Sequence, residues 1–257
     1  MSAILLERSG AIATVTLSNP GKLNAVDLTM WQQLARCFSD LSADTSLRCV
    51  IVTGAAGQFA AGADIAEFST VRSTLEQGIR YHTVAIGEAL AAIVHCVHPT
   101  VAAIEGVCVG GGLEIACACD LRIAAPDARF GIPINRLGFA LAPGEMPGLL
   151  QLVGRAAALE ILLEGRVFDA AEAVQKGLVT RIADDAQAAA RSTAERIAAG
   201  GPLAARMNKW LVNRLSAAPA PLNPPEHDAA FAVLDSKDYR EGVAAFLAKR
   251  APVFTGE

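Results

Sequence analysis

Gly106-Val-Cys-Val-Gly-Gly-Gly-Leu-Glu-Ile-Ala-Cys-Ala-Cys-Asp120 is the stretch on which the reading of this chain turns. It follows Thr100–Ile104, a short apolar run of strand character, and Gly106, Gly110, Gly111 and Gly112 make the stretch from 106 to 112 a flexible turn. Leu113–Asp120 reads as a short buried helix, and Leu121–Ala124 as the next strand. Strand, glycine turn, helix and strand in succession indicate an α/β fold with crossover connections. The turn opens a helix, whose first N–H groups lack intrahelical acceptors and sit at the positive end of the dipole. Glycine lets such groups face a ligand at close range. Two of them converging on one oxygen would stabilise an enolate or a tetrahedral oxyanion, and losing one donor of this kind costs roughly 3 kcal/mol. The spacing fits neither GxGxxG nor GxxxxGK[ST], which argues against a phosphate cradle. A tight turn without chemistry explains the three glycines equally well.

Working outward, a second Gly/Ala-rich loop, Phe59-Ala-Ala-Gly-Ala-Asp-Ile65, follows the apolar strand Cys49–Thr53. Upstream, Ile4–Leu6 and Ala13–Leu17 around Ser9-Gly10 read as a β-hairpin, and Asn19-Pro-Gly-Lys22 as a turn. Asp27 stands as an N-cap before the helical stripe Leu28, Trp31, Leu34, Ala35, Phe38, Leu41. A long helix is expected from about Thr74 to His95, closed by Pro99. Beyond Val153 only Val179–Ile182 has strand character, and helices punctuated by Pro202, Pro221, Pro224 and Pro225 fill the rest. Glu114 stands alone among apolar neighbours. It is either a first-turn acid complementing the helix dipole or a catalytic carboxylate, with burial raising its pKa and the helix N-terminus lowering it.

Hydrophobic residues make up 53% of the 257, enough for one large core and a subunit interface. Charged residues are 19% and the net charge is −4, with no Lys/Arg-rich run, so neither nucleic acid nor an anionic membrane is an expected partner. The N-terminus lacks a signal-peptide pattern, and apolar runs such as Ile115–Cys119 are too short to span a bilayer, so a cytoplasmic location is expected. Cys37, Cys49, Cys96, Cys108, Cys117 and Cys119 include no CxxC pair and read as reduced, buried thiols. His95 and His98 have no carboxylate near them in sequence and read as helix-end residues, not as metal ligands.

These motifs resemble the enoyl-CoA hydratase/isomerase (crotonase) superfamily. Asn19-Pro-Gly-Lys-Leu-Asn-Ala25 with Met30 is similar to the family's early loop. Phe59–Ile65 and Gly106–Asp120 are similar to its two oxyanion segments. Ser236–Gly242, Ala245, Phe246, Lys249, Arg250, Pro252 and Phe254 match its closing motif. The resemblance spans nearly the whole chain. It implies a spiral of ββα units over 1–195, with a helical, trimerising C-terminal region over 196–257. It further implies trimers or dimers of trimers, an acyl-CoA thioester as substrate, and no cofactor beyond the coenzyme A the substrate carries. By the same resemblance Ala63 and Gly111 supply the oxyanion-hole N–H groups and Glu114 is a catalytic acid/base. Lys22, Leu23, Ala25, Ala61, Asp64 and Ile65 line the coenzyme A pocket. Phe246 and Lys249 contact coenzyme A on a neighbouring subunit.

The chain departs from the family at one position that bears on the reaction. Hydratases carry Phe-Gly-x-Pro-Glu, whose Glu is the second acid/base, and this chain reads Phe130-Gly-Ile-Pro-Ile134. Losing a general acid costs roughly 10²–10⁴ in rate. Ile134 therefore counts as a substrate-lining position. Glu145, after Pro143-Gly144, is either a displaced replacement or a plain helix cap, and the cap is the simpler reading. Asn135 and Arg136 are polar candidates nearby, Arg136 toward an acidic acyl group or a structural ion pair. The leading expectation is an acyl-CoA enzyme of the hydratase/isomerase type. Alternatives are an isomerase or an acyl-CoA decarboxylase, which need fewer acid/base groups, and an acyl-CoA binder without catalysis. A Rossmann oxidoreductase is disfavoured by the missing GxGxxG.

Overall fold

The structure, a computed structural model, describes residues 1–217 and 220–257. β1 (Ala3–Ser9) and β2 (Ile12–Ser18) pair antiparallel, Ser9 opposite Ile12, with Gly10 turning between them at φ +59°. α1 (Leu28–Ala43) starts at Asp27, whose carboxylate accepts from the Met30 N–H at 2.8 Å. Its apolar stripe is buried at Met30, Trp31, Leu34, Phe38 and Leu41. β3 (Cys49–Gly54) is buried throughout. Its alternation divides two cores: Val50 and Val52 face the main core with α1, and Cys49 and Ile51 face a second core on the other side of the sheet.

After the 55–64 segment come α2 (Phe68–Val71), α3 (Leu75–Arg80) and α4 (Gly87–Val94). Thr74 and Gln77 form a capping box at the start of α3. The long helix expected over Thr74–His95 is present but not uniform: Tyr81–Ile86 between α3 and α4 winds as a π-helix. Such wide turns re-aim the side chains they carry and occur often at functional sites.

β4 (Thr100–Ile104), β5 (Val107–Val109), α5 (Gly111–Ala118), β6 (Leu121–Ala124) and β7 (Arg129–Gly131) follow in order. α6 (Met146–Glu164), β8 (Phe168–Asp169), α7 (Ala170–Gln175), β9 (Arg181–Ile182) and α8 (Ala186–Ala198) come next. α9 (Pro202–Ala217), α10 (Pro224–Phe231) and α11 (Lys237–Leu247) end the chain. One sheet runs β1-β2-β3-β4-β6-β9 and the other β5-β7-β8. β4 and β6 each sit in the larger sheet, and β5 and β7, which follow them, in the smaller. Ala60 bridges to Cys108 and so extends the same pattern back to the segment after β3. The turns that begin at β3, β4 and β6 thus each lay one strand in each sheet before a helix returns the chain, which is the expected ββα spiral. α8 covers the far face of the larger sheet through Ala186, Ala190 and Ala194.

Several boundaries differ from the sequence reading. Val107–Val109, read as turn, is a strand, and Arg129–Gly131 and Phe168–Asp169 are strands that went unread. These pieces are too short to display a period of two. The strand expected over Val179–Ile182 is only Arg181–Ile182, and α5 begins at Gly111 and ends at Ala118. α6 exceeds the apolar length expected anywhere in the chain, being 19 residues and apolar enough to cross a membrane by length and composition. Gly154 (φ 69°, ψ 174°) breaks it into two shorter segments. All six cysteines are free, Cys37 half-buried and the others buried.

α5 is pinned at both ends. Arg122 is buried and donates to the Ala116 and Cys119 carbonyls at the helix C-terminus and to Leu178 O at 2.8 Å. At the N-terminus a Cβ on Gly112 would fall 2.3 Å from the Ala60 carbonyl oxygen. Gly112→Ala should therefore cost about 1–3 kcal/mol in urea unfolding. Gly144→Ala, where a Cβ meets nothing within 4 Å, should change stability by less than about 0.5 kcal/mol. Equal effects at the two sites would show that close approach at Gly112 is not what the fold requires.

Candidate active site

The 60–64 segment is held between the early loop and the start of α5. Ala60 N donates to Val107 O at 2.9 Å, and Val109 N to Ala60 O at 3.1 Å. On its other side Val26 N donates to Gly62 O at 2.7 Å, and Asp64 N to Val26 O at 3.0 Å. In a parallel bridge these two bonds flank Ala63, so its own N–H points away from Val26. Gly111 lies alongside: a Cβ on Gly111 would be 3.4 Å from Ala63 N, and one on Gly62 would be 3.4 Å from Gly111 N. Gly111 is the first residue of α5, where an N–H has no intrahelical acceptor. Gly110 makes the turn into the helix at φ 50°, ψ −126°, a conformation L side chains rarely adopt.

The early loop supports this arrangement from outside. Leu23 and Asn24 adopt positive φ (47° and 56°). Leu23 O accepts from Ala61 N at 2.9 Å, and the Asn24 amide donates to Ala55 O at 2.9 Å and Gln58 O at 2.6 Å. Trp31 is fully buried behind Gly111, its ring 2.9 Å from where a Cβ would stand.

The two backbone segments floor a small cleft of about 110 Å³. Glu114, in the first turn of α5, lines it, and so does Glu145. Glu114 is buried and its Oε2 has no hydrogen-bond partner. Burial first, and the Glu145 charge second, push its pKa well above the usual carboxylate range. Glu145 precedes α6 but makes no side-chain cap, which corrects the simpler sequence reading. Its side chain is 2% exposed and lies 2.6 Å from His82 Nδ1. His82 comes from the π-helical turn, stacks on Phe139 (centroids 4.9 Å apart, planes at 27°) and leaves a buried Nε2 unpartnered. Ile134 lines the same cleft where the family pattern has a carboxylate.

Of the residues singled out in the sequence, Ala61, Ala63, Ile65, Gly111, Glu114, Ile134 and Glu145 converge on this cleft. Lys22, Leu23, Ala25 and Asp64 do not line it but adjoin it through the loop bonds above, and Lys22 Nζ sits 2.5 Å from Asp64 Oδ2. Phe246 is 83% exposed and lines a separate cavity with Tyr239, Leu247 and Phe254. Lys249, at φ 52° just past α11, does not line the Glu114 cleft within one chain either. Asn135 donates to Leu163 O at 2.7 Å, and Arg136 is exposed away from the cleft. His98 is buried against Leu41 O, and His95 ends α4. Among the described residues no group of three His, Cys, Asp or Glu is placed to hold a metal. Sequence reasoning missed His82, Arg72, Phe68 and Ile86, all cleft-lining: His82 and Ile86 lie on the π-turn, whose facing the sequence does not show, and Phe68 and Arg72 lie in and just after the short helix α2, which carried no motif.

Comparison with known proteins places these features in a family context. The profile of the enoyl-CoA hydratase/isomerase family matches residues 7–257. A protein named probable enoyl-CoA hydratase from Mycobacterium tuberculosis is 38% identical over 257 residues, covering 98% of this chain and 97% of that one. The crystal structure of an enoyl-CoA hydratase/carnithine racemase from Magnetospirillum magneticum is 49% identical, with TM-score 0.96 over 100% of this chain and 97% of that one. An enoyl-CoA hydratase structure from Bacillus anthracis is 30% identical, with TM-score 0.88 over 99% of each chain.

A carboxyl whose folded pKa is raised stabilises the fold below its unfolded pKa, and that contribution is lost as pH rises toward the folded value. Glu114→Gln has no proton to lose, so its Tm should increasingly exceed that of the wild type between pH 5 and pH 8. The expected gain is about 2–4 °C for each kcal/mol relieved. A Tm difference constant across that range would contradict the burial assigned to Glu114.

Proposed function

The chain belongs to the enoyl-CoA hydratase/isomerase family, and from that premise we propose that it hydrates an enoyl-CoA thioester using Ala63, Gly111, Glu114 and Glu145. The observation that carries the reading is the pairing of Glu114 with Glu145 over a floor of two unpaired N–H groups. A second carboxylate is therefore supplied to the cleft from the start of α6, although Ile134 stands where the family pattern has one.

In this reading the thioester oxygen takes hydrogen bonds from the N–H groups of Ala63 and Gly111, which polarises the conjugated Cα=Cβ bond. Glu145, oriented by His82, accepts a proton from a water whose oxygen bonds to Cβ. The electron pair of the double bond moves onto the thioester, and the resulting enolate charge rests between the two N–H groups. Glu114, kept neutral by burial, gives its proton to Cα, so one water is added overall. The proton on Glu145 passes back to Glu114 or to solvent to reset the site. The energetic logic is that two buried carboxylates close enough to raise a pKa favour the state in which one is protonated and one is not.

A second reading is favoured by Ile134, which makes one wall of the cleft apolar. Shifting a double bond from the 3- to the 2-position needs a single base that moves a proton from Cα to Cγ, a task for Glu114 alone in its ionised form, whose raised pKa makes it the stronger base. Coenzyme A enters as part of the substrate, bound along Lys22–Ala25 and Ala61–Ile65. Self-association into trimers or dimers of trimers, with 196–257 as the trimerising region, completes the proposal. Leu159 and Leu163 on α6 and Phe246 and Leu247 on α11 are exposed apolar side chains that such contacts would cover. Phe246 and Lys249 would then reach a neighbour's coenzyme A.

With crotonyl-CoA, loss of enoyl absorbance should fall by roughly 10²–10⁴ in Glu114→Gln and in Glu145→Gln alike. A 3-enoyl-CoA substrate separates the readings. If hydration fails in the wild type while 3-to-2 isomerisation proceeds and survives Glu145→Gln, the isomerase reading replaces the hydratase.

A further inference from the structure

Arg72 is the one cleft-lining cation for which, among the described residues, the structure gives no carboxylate or acceptor partner. Its guanidinium lies over the Phe68 ring at 4.5 Å and the Phe139 ring at 4.1 Å from the centroids. These ring contacts use none of its N–H donors as hydrogen bonds and leave them for a ligand. Glu145, the acid on the same wall, is already taken by His82. His82 shares the Phe139 ring with Arg72, and its buried Nε2 is likewise unpartnered, on a side chain 10% exposed. Between these groups and the N–H floor the wall is apolar at Phe68, Ile86 and Ile134.

We propose that the preferred substrates carry a second carboxylate on the acyl group, and that Arg72 receives it at the edge of its guanidinium with His82 beside it. This rests on the acyl-CoA reading above and names its substrate class: thioesters of dicarboxylic acids. A carboxylate matches the planar donor edge of Arg in two parallel hydrogen bonds. A plain hydrocarbon tail would desolvate Arg72, leave the buried His82 nitrogen unpartnered and give neither anything in return, the situation in which a polar site discriminates most sharply. The alternative anion is a phosphate of coenzyme A, which is common to every thioester and would give no preference among acyl groups.

Calorimetric binding of saturated, unreactive thioesters to the whole protein tests this without requiring turnover. Glutaryl-CoA and adipyl-CoA are compared with pentanoyl-CoA and hexanoyl-CoA, for the wild type, Arg72→Gln and Arg72→Lys, with melting curves confirming the fold of each variant. The expected result is a Kd ratio of at least about tenfold in favour of the dicarboxylic thioesters, a difference of about 1.4 kcal/mol. The ratio should fall to about one in Arg72→Gln and be partly kept in Arg72→Lys. Equal binding of both classes by the wild type overturns this inference and leaves the acyl-CoA reading standing. So does a ratio that Arg72→Gln leaves unchanged, or a uniform weakening that assigns Arg72 to a phosphate. Failure of every thioester to bind overturns both.

Discussion

The candidate site depends on the close contact between the start of α5 and the 60–63 segment. There is no room for a Cβ at Gly112, and Gly111 has Trp31 on one side and Ala63 on the other. Helix, loop and buried indole are packed so that two backbone donors end up adjacent, both left without carbonyl partners. Buried N–H groups are normally paired. Here the fold spends its packing energy on leaving two of them open, with Arg122 and the Asn24 amide holding the supporting segments from opposite ends.

The carboxylates extend the same logic into electrostatics. Glu114 sits where a helix dipole would favour its charge, yet its burial and the nearby Glu145 dominate and push its pKa well above the usual carboxylate range. Glu145 gains a partner only because the chain between α3 and α4 widens into a π-helix and brings His82 to it. A site with one acid whose burial favours its protonated form and another held beside an imidazole is prepared for a proton to leave at one point and arrive at another. The unusual turn, the unsatisfied oxygen and the open N–H groups are each unfavourable for stability, and they occur together in one cleft.

Much of this was legible in the sequence because it follows from local physics. Three consecutive glycines before an apolar helix mark a close approach. Asp27 marks a helix start, and the unbroken apolar run Cys49–Val52 marks a strand buried on both faces. The positions of Ala63, Gly111 and Glu114 followed from motifs in order. What was not legible depended on geometry without a local signature. β5, β7 and β8 are two or three residues long and exist only through their partners. His82 lay inside a helical stripe whose π-turn the sequence does not encode in any recognisable pattern. Glu145, after Pro143-Gly144, read as either a displaced acid or a helix cap, and only the fold, which leaves it without a cap bond and places it in the cleft beside His82, decides between the two. Phe246 and Lys249 lie away from the cleft within one chain, and their reading depends on a neighbour.

The account rests on the two N–H groups of Ala63 and Gly111 receiving a thioester oxygen. The direct measurement is the infrared difference spectrum of butyryl-CoA labelled with ¹³C at the thioester carbonyl, bound and free. Polarisation by two backbone donors predicts that the labelled carbonyl band moves to lower frequency on binding, and that it does so equally in Glu114→Gln, since the donors are backbone. A bound carbonyl that absorbs at the frequency found in water, or above it, would contradict the account.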